Sequence, residues 1–314
     1  MTDAPAPWSA DRLLDAEQVL RLVQAQFPGL NARTARYLAE GWDSEVYRVE
    51  ARDGLWALRF PKRREVEPSV AVEAALLELI APRVPLEVPR FTLRGEPGEG
   101  FPYRFAGYRL LPGVPAAPSG RGLPARGIAP RPAPEEAGRV LGRFLRALHA
   151  IPPVEGRAAG LAEQPRDPAR MAARARAALP GARRVLPASL LDRAERALEP
   201  PPSGPLGPLA VVHNDLGPCH VLVDPAGLPT GVIDWADAAL GDPASDFVGV
   251  LGWLGPAGLE AALEAWAGVP DHGFRVRVRH TTLAVGVLVA AHAAARADAA
   301  EVEDARDMLV HALA

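Results

Sequence analysis

The sequence predicts an α+β protein in which a small unit of strands and one helix precedes a mostly helical unit. Three observations predict this class. Alternating apolar residues flank a hairpin signal in the first third of the chain, helical spacing dominates after residue 135, and a Pro- and Gly-rich segment lies at 112–134. We place the boundary near Leu111, so the predicted domains are residues 1–111 and 112–314.

The first domain combines helical and strand patterns. Asp53-Gly54 is a strong hairpin signal between two alternating segments, because both residues suit a tight turn. Pro28-Gly29 ends the first helical pattern, and Pro68 opens the second, since proline is tolerated in the first turn of a helix. The predicted elements are a helix at 11–27, strands at 44–49 and 55–60, a helix at 68–81, and strands at 91–94 and 103–110.

The second domain begins with a loop and continues mainly as helices. Residues 112–134 are mostly Pro, Gly, Ala and Arg without periodicity, which predicts a loop or lid. Apolar residues recur on one side of 135–149 and indicate a helix there. The remaining predictions are helices to about Ala197, a Pro-rich break at 199–208, short strands at 209–212, 221–223 and 231–233, and helices from 247 to 314.

Composition excludes several classes of protein. The 314 residues carry a net charge of -3, which argues against a nucleic-acid partner. One cysteine, Cys219, cannot form an intrachain disulfide. The first residues show no signal-peptide pattern and the longest apolar run is short of a membrane span, so we expect a cytoplasmic protein with no membrane partner. Lys62 is the only lysine, so any chemistry that needs a lysine must use it.

Ionisable residues follow the short strands of the second domain. His213 and Asp215 come directly after one apolar strand, His220 precedes the next, and Asp234 follows the third. Residues at the ends of neighbouring strands can converge on one point above a rigid sheet. Asp215, His220 and Asp234 would then supply one base and two ligands for a divalent metal.

The same segments resemble a known family. The spacing from His213 to Asp224 is similar to the kinase catalytic loop, and Val232–Trp235 is similar to the metal-binding segment that follows it. Together with Gly241–Asp246, these motifs match the aminoglycoside phosphotransferase family more closely than protein kinases. Segments 41–49, 56–61 and 107–113 resemble that family's small lobe and hinge, so the resemblance covers nearly the whole chain.

The resemblance implies a two-lobed protein-kinase-like fold, with a small antiparallel sheet in the N-terminal lobe and a hinge at 110–113. It implies an enzyme that transfers the γ-phosphoryl group of ATP or GTP to a hydroxyl of a small molecule, here an aminoglycoside. The implied roles are catalytic base for Asp215, ligands of Mg²⁺ (or Mn²⁺) for His220 and Asp234, nucleotide binding for Ser44, Arg59, Glu73, Leu110 and Leu111, and contact with substrate for Asp237.

The sequence departs from the family pattern at several positions. Arg59 stands where kinases place a strand lysine, and Lys62 follows it by three residues, on the opposite face if the strand continues. His220 replaces the usual Asn, which favours a shift toward Mn²⁺, and the 2''-aminoglycoside and macrolide branches of the family have His here. The turn at 41–44 is not G-x-G-x-x-G, and no P-loop is present.

Other readings of these residues stay open. Asp215 and Asp234 are also typical turn residues, and Ser44 suits a hairpin turn. His213 is typical of a structural histidine bonded to backbone, and Asp246 of a helix cap or loop anchor. Arg59 and Glu73 could form only a surface ion pair. Two other functions also remain: a kinase of an ordinary metabolite such as an amino alcohol or sugar, and a non-catalytic nucleotide-binding protein.

Overall fold

A computed structural model describes residues 10–117, 132–164, 167–202 and 207–314. These residues form two compact units. Unit 1 contains 10–82 and 87–112, and unit 2 contains 83–86, 113–117 and the described residues from 132 onward. The predicted α+β class is confirmed by an antiparallel sheet in the N-terminal part and a largely helical C-terminal part.

Unit 1 is a five-stranded antiparallel sheet with two helices. The strand order is β1-β2-β3-β5-β4. Its elements are α1 (Ala16–Gln26), β1 (Thr34–Glu40), β2 (Ser44–Ala51), β3 (Gly54–Pro61), α2 (Glu67–Ile80), β4 (Leu93–Gly95) and β5 (Phe105–Arg109).

Local sequence signals explain how unit 1 forms. Gly54 takes the positive φ of 132° that the predicted hairpin turn requires, which joins β2 to β3. Alternate residues of the sheet point into one aromatic core, where the rings of Phe60 and Phe105 stack at 4.6 Å. The predicted helix at 11–27 begins later, at Ala16, because the side chain of Asp15 caps it by accepting from the N–H of Gln18.

Unit 2 combines helices with two small sheets. Its helices are α3 (Pro134–His149), α4 (Pro153–Ala158), α5 (Pro168–Ala182), α6 (Ala188–Ala197), α7 (Phe247–Trp266), α8 (Phe274–Arg296) and α9 (Ala299–Leu313). One sheet has the order β6-β8-β9 and the other pairs β10 with β7. The strands are β6 (Val114–Pro115), β7 (Ala210–Val212), β8 (Val221–Val223), β9 (Pro229–Val232) and β10 (Ala239–Gly241).

Helix packing builds the core of unit 2. Gly138 and Gly142 on α3 face Gly258 and Ala262 on α7, and an added Cβ at either glycine would meet a carbonyl of α7. The helices α5, α7 and α9 all pack against α8. In length and composition α8 resembles a membrane-crossing helix, but 56% of its most apolar window is buried inside the unit, as in the core helix of a globular protein.

Three strands were not predicted from the sequence. They are β1, β6 and β10. Strand β6 lies inside the segment that the sequence predicts as a loop or lid at 112–134, so that prediction is wrong at 114–115. Residues 118–131 of the same segment, and 203–206 of the Pro-rich break, lie outside the described residues.

Candidate active site

In unit 2 the predicted site residues Asp215 and Asp234 both lie next to the imidazole ring of a third, His220. Strand β7 delivers His213 and Asp215, β8 begins directly after His220, and Asp234 lies two residues beyond β9. The Nδ1 atom of His220 is 3.4 Å from the Oδ2 atom of Asp215, and its Nε2 atom is 3.6 Å from the Oδ2 atom of Asp234. His220 therefore stands between the two carboxylates.

His213 joins the loops that carry these carboxylates. Its side chain is fully buried, and its Nε2 atom lies 3.1 Å from the carbonyl oxygen of Ile233. Its Nδ1 atom accepts from the N–H of Asp215 at 3.3 Å, which leaves Nε2–H as the donor to Ile233. The structural reading of His213 is therefore confirmed: the ring holds the loop after β7 to the loop after β9.

The buried carboxylate of Asp246 anchors the loop that follows β7. Asp246 is fully buried and accepts from the N–H of His213 at 3.1 Å and from the N–H of Asn214 at 2.7 Å. The Nε2 atom of His149, on α3, lies 2.9 Å from the same carboxylate. Of the two readings of Asp246, the loop anchor is confirmed, because its side chain makes no cap hydrogen bond to α7. The contact of His149 was not predicted, because its local sequence gives no sign of a partner 97 residues away.

Two residues of this site have a left-handed backbone conformation. Asn214 has φ 67° and Asp234 has φ 61°, both in the left-handed region. Asparagine and aspartate tolerate this region better than most residues, at a cost of order 1 kcal/mol. The anchoring bonds of His213 and Asp246 offset that cost and hold the loops in these conformations.

The charges around His220 determine its protonation. Burial of the ring lowers the pKa of His220, but contact with Cys219 and the attraction of Asp215 and Asp234 raise it by more, so the net pKa is well above its ordinary value. Nδ1 lies 2.8 Å from the carbonyl oxygen of Asp215, so this nitrogen carries a proton in either state. The Nε2 atom is the one that faces Asp234.

The donor set near Asp234 suits a metal ion only in part. Within the described ranges, no group of three or more His, Cys, Asp or Glu side chains is arranged to hold a metal ion. The pair of His220 and Asp234 offers one nitrogen and one carboxylate. Their 3.6 Å separation is compatible with two ligands at about 2.1 Å from one ion. The two residues therefore fit the role of partial ligands, with the remaining positions open to other oxygen atoms.

A second buried cluster braces the neighbouring Gly241-Asp242-Pro243 segment. Arg277, on α8, contacts Asp242 at 2.6 Å through Nε and Asp271 at 2.7 Å through Nη2. Hydrogen bonds from Arg277 lower the pKa of Asp271, and the two carboxylates raise the pKa of Arg277. Sequence reasoning missed Arg277, because one arginine among many carries no local signal.

In unit 1 the predicted ion pair of Arg59 and Glu73 forms. Nη1 of Arg59 is 2.7 Å from Oε1 of Glu73, and their side chains are only 13% and 3% exposed, so this is not a surface pair. Lys62 lies elsewhere: its Nζ atom donates to the carbonyl oxygen of Gly41 at 2.8 Å and is 3.4 Å from Oε2 of Glu40. Arginine therefore occupies the place beside the helix glutamate.

The other predicted site residues lie at ends of strands. Ser44 is buried at the start of β2, where it is the last residue of the β1–β2 turn at 41–44. Leu110 and Leu111 follow β5 and are half-buried, and the N–H of Leu110 donates to the carbonyl oxygen of Leu55. Asp237 is exposed in the turn between β9 and β10. The structure gives these positions, while their roles stay predictions.

Comparison with known proteins decides the family. A model of the phosphotransferase enzyme family, APH, matches residues 34–280. The chain belongs to this family. The predicted resemblance is thereby confirmed, and the protein is a phosphotransferase with an alcohol group as acceptor, in a kinase-like fold.

Curated relatives of this APH-family chain add little about its substrate. Uncharacterized protein YcbJ of Bacillus subtilis (strain 168) is 25% identical over 237 residues, which cover 74% of each chain. Viomycin phosphotransferase of Streptomyces vinaceus is 38% identical over 92 residues, which cover 28% of this chain and 31% of that protein.

Solved structures of antibiotic phosphotransferases share the fold. The GDP and kanamycin complex of APH(2")-IIia has a TM-score of 0.69 and 22% identity, and the match covers 93% of this chain and 97% of the other. Macrolide 2'-phosphotransferase MphH from Brachybacterium faecium has a TM-score of 0.63 and 28% identity, with 94% and 97% covered.

Proposed function

We propose that this protein transfers the γ-phosphoryl group of ATP or GTP to a hydroxyl of an aminoglycoside-type antibiotic. The observation that carries the proposal is the grouping of Asp215 and Asp234 on either side of the His220 ring, in a chain of the APH family. Phosphoryl transfer depends on positioning and on neutralising charge, and this grouping supplies a carboxylate that can position an acceptor and ligands for a cation that can neutralise charge.

Asp215 is the proposed catalytic base. Its side chain is 54% exposed, so an acceptor hydroxyl can reach it, while the backbone on either side is fixed by buried partners. The carboxylate would orient the attacking hydroxyl and accept its proton as the new P–O bond forms and the bond from the γ-phosphorus to the departing nucleoside diphosphate breaks. His220 would hold the loop by its bond to the carbonyl oxygen of Asp215.

Asp234 and His220 are the proposed ligands of a divalent cation. The Oδ2 atom of Asp234 is a hard oxygen ligand that suits Mg²⁺, and the Nε2 atom of His220 favours Mn²⁺ more than an amide oxygen would. When bound, such an ion supplies positive charge that neutralises the nucleotide phosphates.

Residues of unit 1 are the proposed nucleotide-binding residues. Arg59 carries its charge at every working pH and can donate to two phosphate oxygens, and the carboxylate of Glu73 fixes its guanidinium. Ser44 and its turn would cover the phosphates, and the segment at Leu110 and Leu111 would bind the base.

The relatives support an antibiotic acceptor. APH(2")-IIia was solved with kanamycin, and the neighbours include a macrolide phosphotransferase and a viomycin phosphotransferase. A macrolide is the second candidate acceptor, because the macrolide enzyme has the higher identity of the two solved structures compared above, 28% against 22%. Asp237, exposed after β9, is the proposed contact for a cationic acceptor.

A screen of acceptors tests the proposal. The purified protein is incubated with MgATP or MgGTP and, separately, with kanamycin, erythromycin, viomycin, choline or homoserine, and products are detected by mass spectrometry as gain of one phosphoryl group. We expect kanamycin to be phosphorylated. Phosphorylation of choline or homoserine alone would make the protein a metabolite kinase, and nucleotide binding without any product would make it a non-catalytic binder.

A further inference from the structure

The turn between β1 and β2, residues 41–44, is bonded to the chain segment that follows β3. We propose that Lys62 and Arg63 are positioning residues that hold this turn in one conformation for the nucleotide phosphates. The inference rests on the proposed function, because it deepens the role given there to Ser44 and its turn.

Lys62 bonds the turn at two carbonyl oxygens. Its Nζ atom donates to the carbonyl of Gly41 at 2.8 Å, and its peptide N–H donates to the carbonyl of Asp43 at 2.8 Å. The turn is also closed on itself, since the N–H of Gly41 donates to the carbonyl of Ser44 at 2.8 Å. Lys62 therefore fixes the turn at its first residue and at its third.

Arg63 bonds the tip of the turn. Its Nη1 atom donates to the carbonyl of Trp42 at 3.1 Å, and its Nη2 atom is 2.6 Å from the Oδ1 atom of the Asp43 side chain. With the bonds of Lys62, every carbonyl oxygen from Gly41 to Ser44 has a donor. Lys62 and Arg63 together therefore hold the turn at Gly41, Trp42 and Asp43.

The burial of Lys62 is costly, and this points to a specific purpose. The side chain is 5% exposed, although an ammonium group loses strong hydration when it is buried. Its charge is paired with Glu40 at 3.4 Å and its hydrogen bond goes to the turn. Lysine supplies a compact point donor that fits a single carbonyl, whereas the forked guanidinium used at every other basic position is larger.

The turn keeps a donor available for a ligand. In the described part of the chain, the peptide N–H of Asp43 makes no hydrogen bond. Phosphate oxygens accept hydrogen bonds from such backbone N–H groups. A turn with one glycine, already held by Lys62 and Arg63, loses little conformational entropy when phosphate binds. Fixing the turn therefore strengthens nucleotide binding and leaves binding of the acceptor unchanged.

Calorimetric titration with MgADP and MgGDP tests the inference. Lys62→Met keeps the aliphatic stem but removes the donor and the charge, so we expect about tenfold weaker binding of whichever nucleotide the wild type binds. Glu40→Gln is the matched control: it removes the ion pair, which lowers stability because Lys62 is buried, but it leaves the bond to Gly41, so the nucleotide affinity of the folded variant should stay within about twofold of wild type. In turnover, Lys62→Met should raise the nucleotide KM with little change in kcat or in the acceptor KM.

Arg63→Gln keeps the inference testable if Lys62→Met does not fold. Arg63 lies at a partly exposed position, so this variant should fold with an unchanged melting temperature and bind nucleotide about threefold to fivefold more weakly. Folded variants that bind as tightly as wild type overturn the inference while leaving the proposed function intact. Failure of the wild type to bind either nucleotide overturns both.

Discussion

The loop that carries Asp215 is held by the fully buried carboxylate of Asp246. Asp246 accepts from two consecutive peptide N–H groups, of His213 and Asn214, and also contacts His149. Bonds to a charged acceptor are about twice as strong as neutral ones, and an ionised group buried without partners would be expensive. At the scale of single residues, the site is therefore positioned by groups that do not touch a substrate.

Asp246→Asn should reduce both stability and turnover. The amide replaces one acceptor oxygen with a donor, so at least one of the three bonds is lost, and we expect about 1.5–3 kcal/mol lower free energy of unfolding. The kcat should also fall, since Asn214 and Asp215 are no longer held. Urea unfolding and steady-state kinetics measure the two effects.

Ser245→Ala is the matched control for Asp246→Asn. Its hydroxyl donates only a neutral bond, to the carbonyl of Asp242, so the loss should be about 1 kcal/mol with kcat unchanged. An Asp246→Asn protein as stable and as active as wild type would contradict the anchoring role.

His280 makes stability depend on pH. Burial lowers the pKa of His280 from its ordinary value of 6.5, and in the described chain its Nδ1 atom has no partner. The unfolded chain therefore binds a proton below pH 6.5 that the folded chain does not, and stability falls as the pH decreases. The contribution is at most about 1.4 kcal/mol per pH unit.

His280→Gln should weaken this pH dependence. Gln can still donate to the carbonyl of Leu198 but does not titrate. Between pH 7.5 and pH 5.5, measured by urea unfolding, the wild type should lose more stability than this variant, with the exposed His272→Gln as the control for substitution itself. Equal losses in wild type and His280→Gln would show that His280 does not contribute.

Elements were predictable where one local signal decided them. The Asp53-Gly54 turn and alternating residues predicted β2 and β3, because a half-buried hairpin needs both. Strand β1 was missed because it is an edge strand whose exposed and half-buried residues do not alternate clearly. Strand β6 has only two residues, and β10, with the sequence Ala-Leu-Gly, lacks the β-branched residues that marked the equally short β7 and β8.

The close packing of α3 and α7 yields a prediction at the scale of elements. Gly142→Ala should destabilise unit 2 by about 1–3 kcal/mol, although alanine favours helix, because the added Cβ would crowd the carbonyl oxygen of Ala262. Thermal and urea unfolding measure the loss. Gly29→Ala is the control: nothing lies within 4 Å of its added Cβ, so its effect should stay within about 0.5 kcal/mol. A stabilised Gly142→Ala protein would contradict this view of the interface.

At the scale of the whole molecule, the candidate site residues were more predictable from the sequence than the buried residues that hold them in place. Asp215, His220 and Asp234 share one segment and lie next to short apolar strands, so their order and spacing carried the signal. His149 and Arg277 come from helices far along the chain, and their partners depend on tertiary packing that no local pattern encodes. The choice of Arg59 over Lys62 beside Glu73 followed from strand parity and agrees with the structure.

The central claim is that the loops after β7 and β9 position Asp215 to activate an acceptor hydroxyl. The most direct measurement is kcat for phosphoryl transfer by wild type and Asp215→Asn, with the same nucleotide, metal and acceptor. We predict a fall in kcat of about 10²–10⁴-fold, with nucleotide affinity within about threefold of wild type. An Asp215→Asn protein that transfers phosphoryl groups at the wild-type rate would contradict the account.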